Sequence, residues 1–316
     1  MVGKHQSGAA SAREHASLGN PRSALANPAR LGRRNLDCAA FHALAGDPSA
    51  PPETPACDRM RSIFSLHLKQ VIRENDWILP LLLLLACALF GQFLAPTQDD
   101  PTLVYSTRTQ AIWMCAWLSS IFWVGFVAAK LGAMQRRNHL REFWKSSGVS
   151  DFRYFCALFA IPNLLNVALF LSAAILSVVV GKAPDLPLLE WLTVNLQGAF
   201  FAVLAQSLIS AVIIALTNYL DAAPSFTCGF LLNLYGMYGI EIVDLARRGS
   251  NREFAILGDL LWSIGPHLHF ADFTSRLTFF WGALPLTPFL NASMYFGGIL
   301  LFGSLVALRL WKYRDA

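Results

Sequence analysis

From residue 77 onward the chain alternates long apolar runs with short polar breaks. Six of these runs are long enough to cross the ~30 Å hydrocarbon layer of a bilayer as helices. They fall at Trp77–Pro96, Gln110–Leu131, Tyr154–Val180, Trp191–Leu216, Ser225–Asp244 and Phe289–Leu308. Ahead of the first lies MRSIFSLHLKQVIREND, Met60–Asp76. Its apolar positions Met60, Ile63, Phe64, Leu68, Val71 and Ile72 recur at helical spacing, with Arg61, Ser65, Lys69 and Arg73 largely off that stripe. A basic amphipathic helix directly before a span predicts one lying in the membrane interface, or packed on protein beside it. Between the fifth and sixth runs, Phe254–Trp281 is apolar but broken by Gly265 and Pro266 and carries Asp259, Asp272 and Arg276. It predicts two short helices at the membrane surface or partly re-entrant, not a lipid-facing span.

The first 59 residues differ from the rest. They are rich in Ala, Ser, Pro, Gly and Arg and hold no apolar run. Such a stretch buries too little surface to offset its ordering entropy, so the expected organisation is a disordered tail over 1–59 and a membrane domain over 60–316. The tail has no secretory pattern. Its Arg and Ser with few acids loosely match a transit peptide; an over-extended start, with Met60 as initiator, accounts for it as well.

Composition agrees with the pattern. Apolar residues are 55% of the chain, charged residues 14%, and mean hydropathy is +0.44. A soluble domain needs about a quarter of its residues charged to keep its surface wet. The +5 net charge is distributed as cytoplasmic loops are. With both ends inside, Arg59, Arg61, Lys69 and Arg73, the cluster Lys130, Arg136, Arg137, Arg141, Lys145 and Arg153, and the C-terminal Arg309, Lys312 and Arg314 all fall on one side. The other side holds Arg108, Lys182, Arg247, Arg248, Arg252 and Arg276. That bias predicts cytoplasmic termini. No basic run alternates with aromatics, so nucleic-acid binding is not expected. The six cysteines form no CxxC pair, and Cys87, Cys115, Cys156 and Cys228 sit in apolar runs as small buried residues.

Catalytic patterns are missing: there is no HExxH helix, no G-x-S-x-G elbow and no phosphate loop G-x-x-x-x-G-K-[ST]. Glu241 and Asp244, three apart on one helix face, form a possible outer-side polar site for a cation or proton, or simply mark a helix end near water. His267 and His269 offer two imidazoles without a third ligand nearby, so interfacial histidines are expected and no metal site is. The amides Asn163, Asn166, Asn195, Gln197, Gln206, Asn218 and Asn233 are read as hydrogen-bonding glue between helices. Gly236, Gly239, Gly297 and Gly298 permit close helix approach, and Asn291-Ala-Ser matches a glycosylation sequon at the edge of a span.

The layout resembles the membrane subunits (permeases) of type-2 ATP-binding cassette (ABC) exporters. Met60–Asp76 resembles their interfacial helix. RRNHLREFWKSSGVSDFRYF, Arg136–Phe155, resembles their coupling segment, with Ser147-Gly148-Val149-Ser150 as its turn before span three. LLWSIGPHLHFADF, Leu260–Phe273, resembles their outer-helix string, and the ending LRLWKYRDA their basic finish. The resemblance covers residues 60–316. It implies an all-α integral membrane fold with six transmembrane helices, an N-terminal amphipathic interfacial helix and two short outer-side helices between spans five and six. It implies a non-catalytic subunit, not an enzyme, in a bacterial plasma (inner) membrane, working by alternating access. It implies no cofactor on this chain, ATP and Mg being held by a separate ABC ATPase subunit. A second permease, homodimer or paralogue, and membrane lipids are the other partners. The ATPase-coupling loop is then Arg136, Arg137, Arg141, Phe143, Trp144, Lys145 and Gly148. Phe143 and Trp144 would fill a cleft on the partner, or anchor at the interface. The basic residues would pair with acidic rims, or act in orientation alone. An ATP-independent six-span channel or carrier is the alternative. The substrate is not legible.

Overall fold

A computed structural model describes residues 56–94, 101–248 and 252–313. Among these, all regular structure is helical. Most of the tail expected over 1–59 lies outside the described residues, but its last residues do not: helix α1 runs Ala56–Arg73 and so begins ahead of Met60. Its buried stripe is Ile63, His67 and Val71, one helical turn apart, and it packs on the long helix α6. Arg61, Lys69 and Arg73 stay exposed, as the amphipathic pattern requires. The chain turns at Asn75, which takes a left-handed conformation (φ 58°).

Helix α2, Ile78–Phe90, continues as a 3-10 turn over Gly91–Leu94. Helix α3, Pro101–Ser119, passes through a π turn at Ser120–Val124 into α4, Gly125–Arg137. The apolar run alone predicts Gln110–Leu131, and the helix extends well beyond it at both ends. Polar residues ahead of Gln110 remain helical because they are satisfied across the bundle: Ser106 Oγ donates to the Thr278 carbonyl, Arg108 to Val180 and Thr109 to Gly181. A short helix α5, Leu140–Ser146, follows, then α6, Asp151–Val180, α7, Leu188–Leu216, and α8, Ala222–Arg248. Between α8 and the last helix come α9, Arg252–Ile264, a 3-10 turn at Leu268–Ala271 and α10, Thr274–Thr278. Helix α11, Leu286–Tyr313, ends the described chain.

Four segments are long and apolar enough to cross a membrane: Val104–Arg137, Asp151–Val180, Leu188–Leu216 and Leu286–Lys312. Val179, Met294 and Phe302 are 71%, 76% and 72% exposed. Each large apolar side chain left in water forfeits about 1.5–3 kcal/mol of burial, whereas lipid surroundings remove that penalty. This is a multi-pass, all-α membrane protein. Of the two remaining expected spans, α2 is a shorter apolar helix of 13 residues. The other, α8, has the length, 27 residues, but is diluted by Asn233, Glu241 and Asp244.

Helix α7 is the hub. Its apolar window is 72% buried, against 6% for α11. Small residues on it, among them Ala202, Ala205 and Ala211, let α4, α6, α8 and α11 approach closely. In α6, Pro162 has no N–H to give the Leu158 carbonyl, and the neighbouring Asn163 turns its side chain along the helix, Nδ2 donating to the Phe159 carbonyl.

Candidate functional site: the α5 loop and the helix ends around it

Helix α5 sits at the end of the bundle where α4 stops and α6 starts. At its entry His139 is left-handed (φ 51°). At its exit, Gly148 N–H donates to Lys145 O and Val149 N–H to Trp144 O, both at 3.0 Å. These are the two bonds of a Schellman turn, with Val149 and Trp144 both buried as its apolar pair. The turn needs a left-handed residue, and Gly148 supplies it at φ 83°. Ser150 then caps α6, its side chain accepting from the Arg153 N–H.

Seven residues form less than two turns, so this helix has one inward and one outward face. Leu140, Arg141 and Trp144 are buried; Glu142, Lys145 and Ser146 are exposed, and Phe143 is half-buried. Two residues that the sequence assigns to partner contact therefore face the protein's own core. Trp144 packs edge-on against Phe143, ring centres 5.3 Å apart. Arg141 Nε donates to Asp151 Oδ1 at 2.9 Å, and its guanidinium lies 5.5 Å from the Trp311 ring centre. Arg136 pairs with Asp221 at the start of α8, with Arg137 3.8 Å from the same carboxylate and largely exposed.

Sequence reasoning did not find Asp151 or Trp311. Asp151 had a local signal, a carboxylate in the first turn of α6 where the helix dipole favours it. Trp311 had none, since it arrives from the far end of the chain. It is fully buried against Tyr154 and Phe155. Its carbonyl accepts from Asn218 Nδ2 at 3.1 Å, and Asn218 Oδ1 accepts from Gln135 Nε2 at 3.0 Å. Tyr219 Oη donates to the Leu310 carbonyl. The ends of α4, α5, α6, α7 and α11 are thus tied into one collar.

At the opposite end, Glu241 and Asp244 have different neighbours. Asp244 is held by Arg247 at 3.3 Å, which also grips Asp259 of α9 at 2.9 Å. Glu241 is exposed and acts on His269. His267 and His269 flank the Trp262 ring at 4.3 and 5.4 Å, and the His267 N–H donates to Tyr295 Oη. Burial, then the neighbouring His267, hold the His269 pKa below its ordinary value, while Glu241 and the Gly236 carbonyl pull it up. Among the described residues no group of three or more His, Cys, Asp or Glu is arranged for a metal. The span amides bond across or along helices: Trp113 to Asn195, Ser120 to Asn166, Asn233 to Gln206, and Gln197 to both the N–H and carbonyl of Leu284. Cys87, Cys115, Cys156 and Cys228 are free thiols. Gly297 and Gly298 face open space, whereas Gly236 and Gly239 are closed by Leu268 and Trp262.

Comparison with family models, curated proteins and solved structures found no match for this chain.

Proposed function

We propose that this protein is the non-catalytic permease subunit of an ABC exporter, crossing a bacterial plasma membrane six times with both ends in the cytoplasm. Helix α2 with its 3-10 extension is the first crossing: 13 residues rise about 20 Å and four more about 8 Å, close to the ~30 Å of a hydrocarbon core. Helix α8 is the fifth, at about 40 Å for its 27 residues. A separate ATPase subunit holds ATP and Mg, and a second permease completes the path.

The observation that carries this reading is α5. It is a short helix at the edge of the bundle, fastened along one face and exposed along the other. A helix used only as a loop between two spans needs no such fastening. Its outward residues, Phe143 with Glu142, Lys145 and Ser146, supply the contact surface; Trp144 and Arg141 belong to the fastening. The order of elements supports the same reading, with α1 packed on α6 before the spans and α9 and α10 between α8 and α11.

The test is co-purification from native membranes. An associated polypeptide carrying a phosphate loop and hydrolysing ATP in lipid is expected. Phe143→Ala weakens that association by about 2 kcal/mol, roughly 30-fold in affinity. Substrate flux through the purified chain alone, with no ATPase bound, would instead establish the channel or carrier.

A further inference from the structure

We infer that Arg141 is the pin that makes α5 move as one body with the start of α6 and the end of α11, so that a push on α5 reaches the last membrane helix directly. This deepens the proposed exporter reading, and rests on it for what does the pushing. Arg141 is a positioning residue here, acting through Asp151 and Trp311 without itself meeting a partner.

The geometry has three parts. Arg141 is 7% exposed, so its charge is withdrawn from solvent and from any docking surface. It is held at two points on two different helices, the Asp151 carboxylate at 2.9 Å and the Trp311 ring at 5.5 Å. A guanidinium suits this double role, since its edge donates hydrogen bonds while its flat face lies on an aromatic ring. Lysine, a compact cation on a flexible stem, can satisfy the carboxylate but not reproduce both contacts. Trp311 in turn is wedged between Tyr154 and Phe155 and anchored through its carbonyl to Asn218.

The alternative origin of motion in α11 is sliding on α7, its main packing neighbour. Along most of its length that contact places apolar helix against apolar helix, and the directional ties between them lie at the collar itself, where Asn218 and Tyr219 donate to the Trp311 and Leu310 carbonyls. The Arg141 contacts are directional and buried, so breaking the Asp151 bond separates two opposite charges where water screens them little. Displacement of α5 is therefore accompanied by α6 and α11 more readily than by a rupture at Arg141. Coupling of this kind is carried by contiguous contacts between elements, and one side chain touching both helices supplies the shortest such path from α5.

The experiment uses the full chain in lipid nanodiscs, native cysteines replaced, with spin labels at Ser146→Cys on α5 and Arg309→Cys on α11, both exposed positions. The distance distribution between them is expected to be narrow. Arg141→Ala and Asp151→Ala should each broaden it, Arg141→Lys should broaden it partly, and the swap Arg141→Asp with Asp151→Arg should recover most of the narrow width. The swap and the lysine variant keep the test valid should alanine disturb folding. An unchanged distribution in Arg141→Ala, or a swap no better than the single alanines, overturns the pin.

The ATPase recovered by co-purification then separates the two ideas. With it bound, Arg141→Ala should leave association nearly intact and remove most of the ATP-induced change in the distance between the Ser146→Cys and Arg309→Cys labels. Loss of association equal to that of Phe143→Ala overturns the pin and returns Arg141 to the partner interface. Broadening in the nanodisc without any ATPase ever binding supports the pin and removes the exporter reading.

Discussion

Gly132 and Thr217 offer a test of how closely α4 and α7 approach. A Cβ placed on Gly132 would sit 2.1 Å from Thr217 Oγ1 and 3.0 Å from both Thr217 Cβ and Cγ2. Rotating the threonine gives no relief, because its Cβ does not move and its other branch swings toward the same space. Its hydroxyl is also engaged, donating to the Ile214 carbonyl at 2.6 Å. The helices must separate instead, and they are joined nearby by the Gln135–Asn218 bond. Overpacking of this kind costs about 1–3 kcal/mol, against a gain of up to ~1 kcal/mol from replacing a helical glycine by alanine. The net expectation for Gly132→Ala is a loss of about 1–2 kcal/mol, or roughly 2–4 °C in melting temperature for a chain of this size. Gly298→Ala is the matched control, because nothing lies within 4 Å of its added methyl. It should melt at or slightly above the unchanged protein. Thermal stability read by fluorescence-detected size exclusion in one detergent checks both. Adding Thr217→Ala to Gly132→Ala should recover most of the loss, a coupling that independent sites do not show. If Gly132→Ala melts no lower than Gly298→Ala, or if Thr217→Ala gives no rescue, the close α4–α7 contact is wrong.

Gly148→Val forces a β-branched residue into the left-handed position of the Schellman turn, at about 1–2 kcal/mol or more, and should speed proteolysis between α5 and α6 while membrane insertion persists. His67 is fully buried on the α1 face that packs on α6, neither ring nitrogen has a hydrogen-bond partner among the described residues, and burial lowers its pKa from 6.5 to about 4. The docked helix thus binds fewer protons than a released one between those values. Stability is complete above pH 6.5 and is lost as pH falls toward 4, by about 2 kcal/mol between pH 7.5 and 5. His67→Leu should remove that slope in melting temperature measured against pH; an equal slope in both proteins would dispose of the assignment. Single cysteines at the exposed Ser146 and Ser275, in a background free of native thiols, should label with an impermeant reagent from opposite faces of the membrane. Labelling of both from outside in intact cells contradicts the proposed topology.

Much of the secondary structure was legible because it depends on length and local period. A run of apolar residues long enough to cross hydrocarbon has no better option than a helix, since every backbone polar group must be satisfied within it. Hence α6, α7 and α11 lie where the apolar runs lie, and α1 follows its stripe. Gly148 was equally readable, because a turn between two helices needs a left-handed residue and glycine adopts that conformation without a Cβ clash. The amides were readable as glue, but not which helix each would meet.

What the tertiary structure decided is everything that depends on a distant partner. Helix α3 begins ahead of Gln110 because Thr278, Val180 and Gly181 accept hydrogen bonds from its polar residues. Near Glu241 and Asp244 the sequence offers a helix end followed by Arg247, and the fold adds the distant Asp259 of α9 as that arginine's second carboxylate. Above all, a basic and aromatic loop such as RRNHLREFWKS does not declare which side chains point outward. A helix of seven residues is too short for a hydrophobic period to choose a face, so the choice falls to its neighbours. Arg141 and Trp144 turn inward because Asp151 and Trp311 stand there to receive the guanidinium, and Trp311 lies 170 residues beyond the arginine it holds.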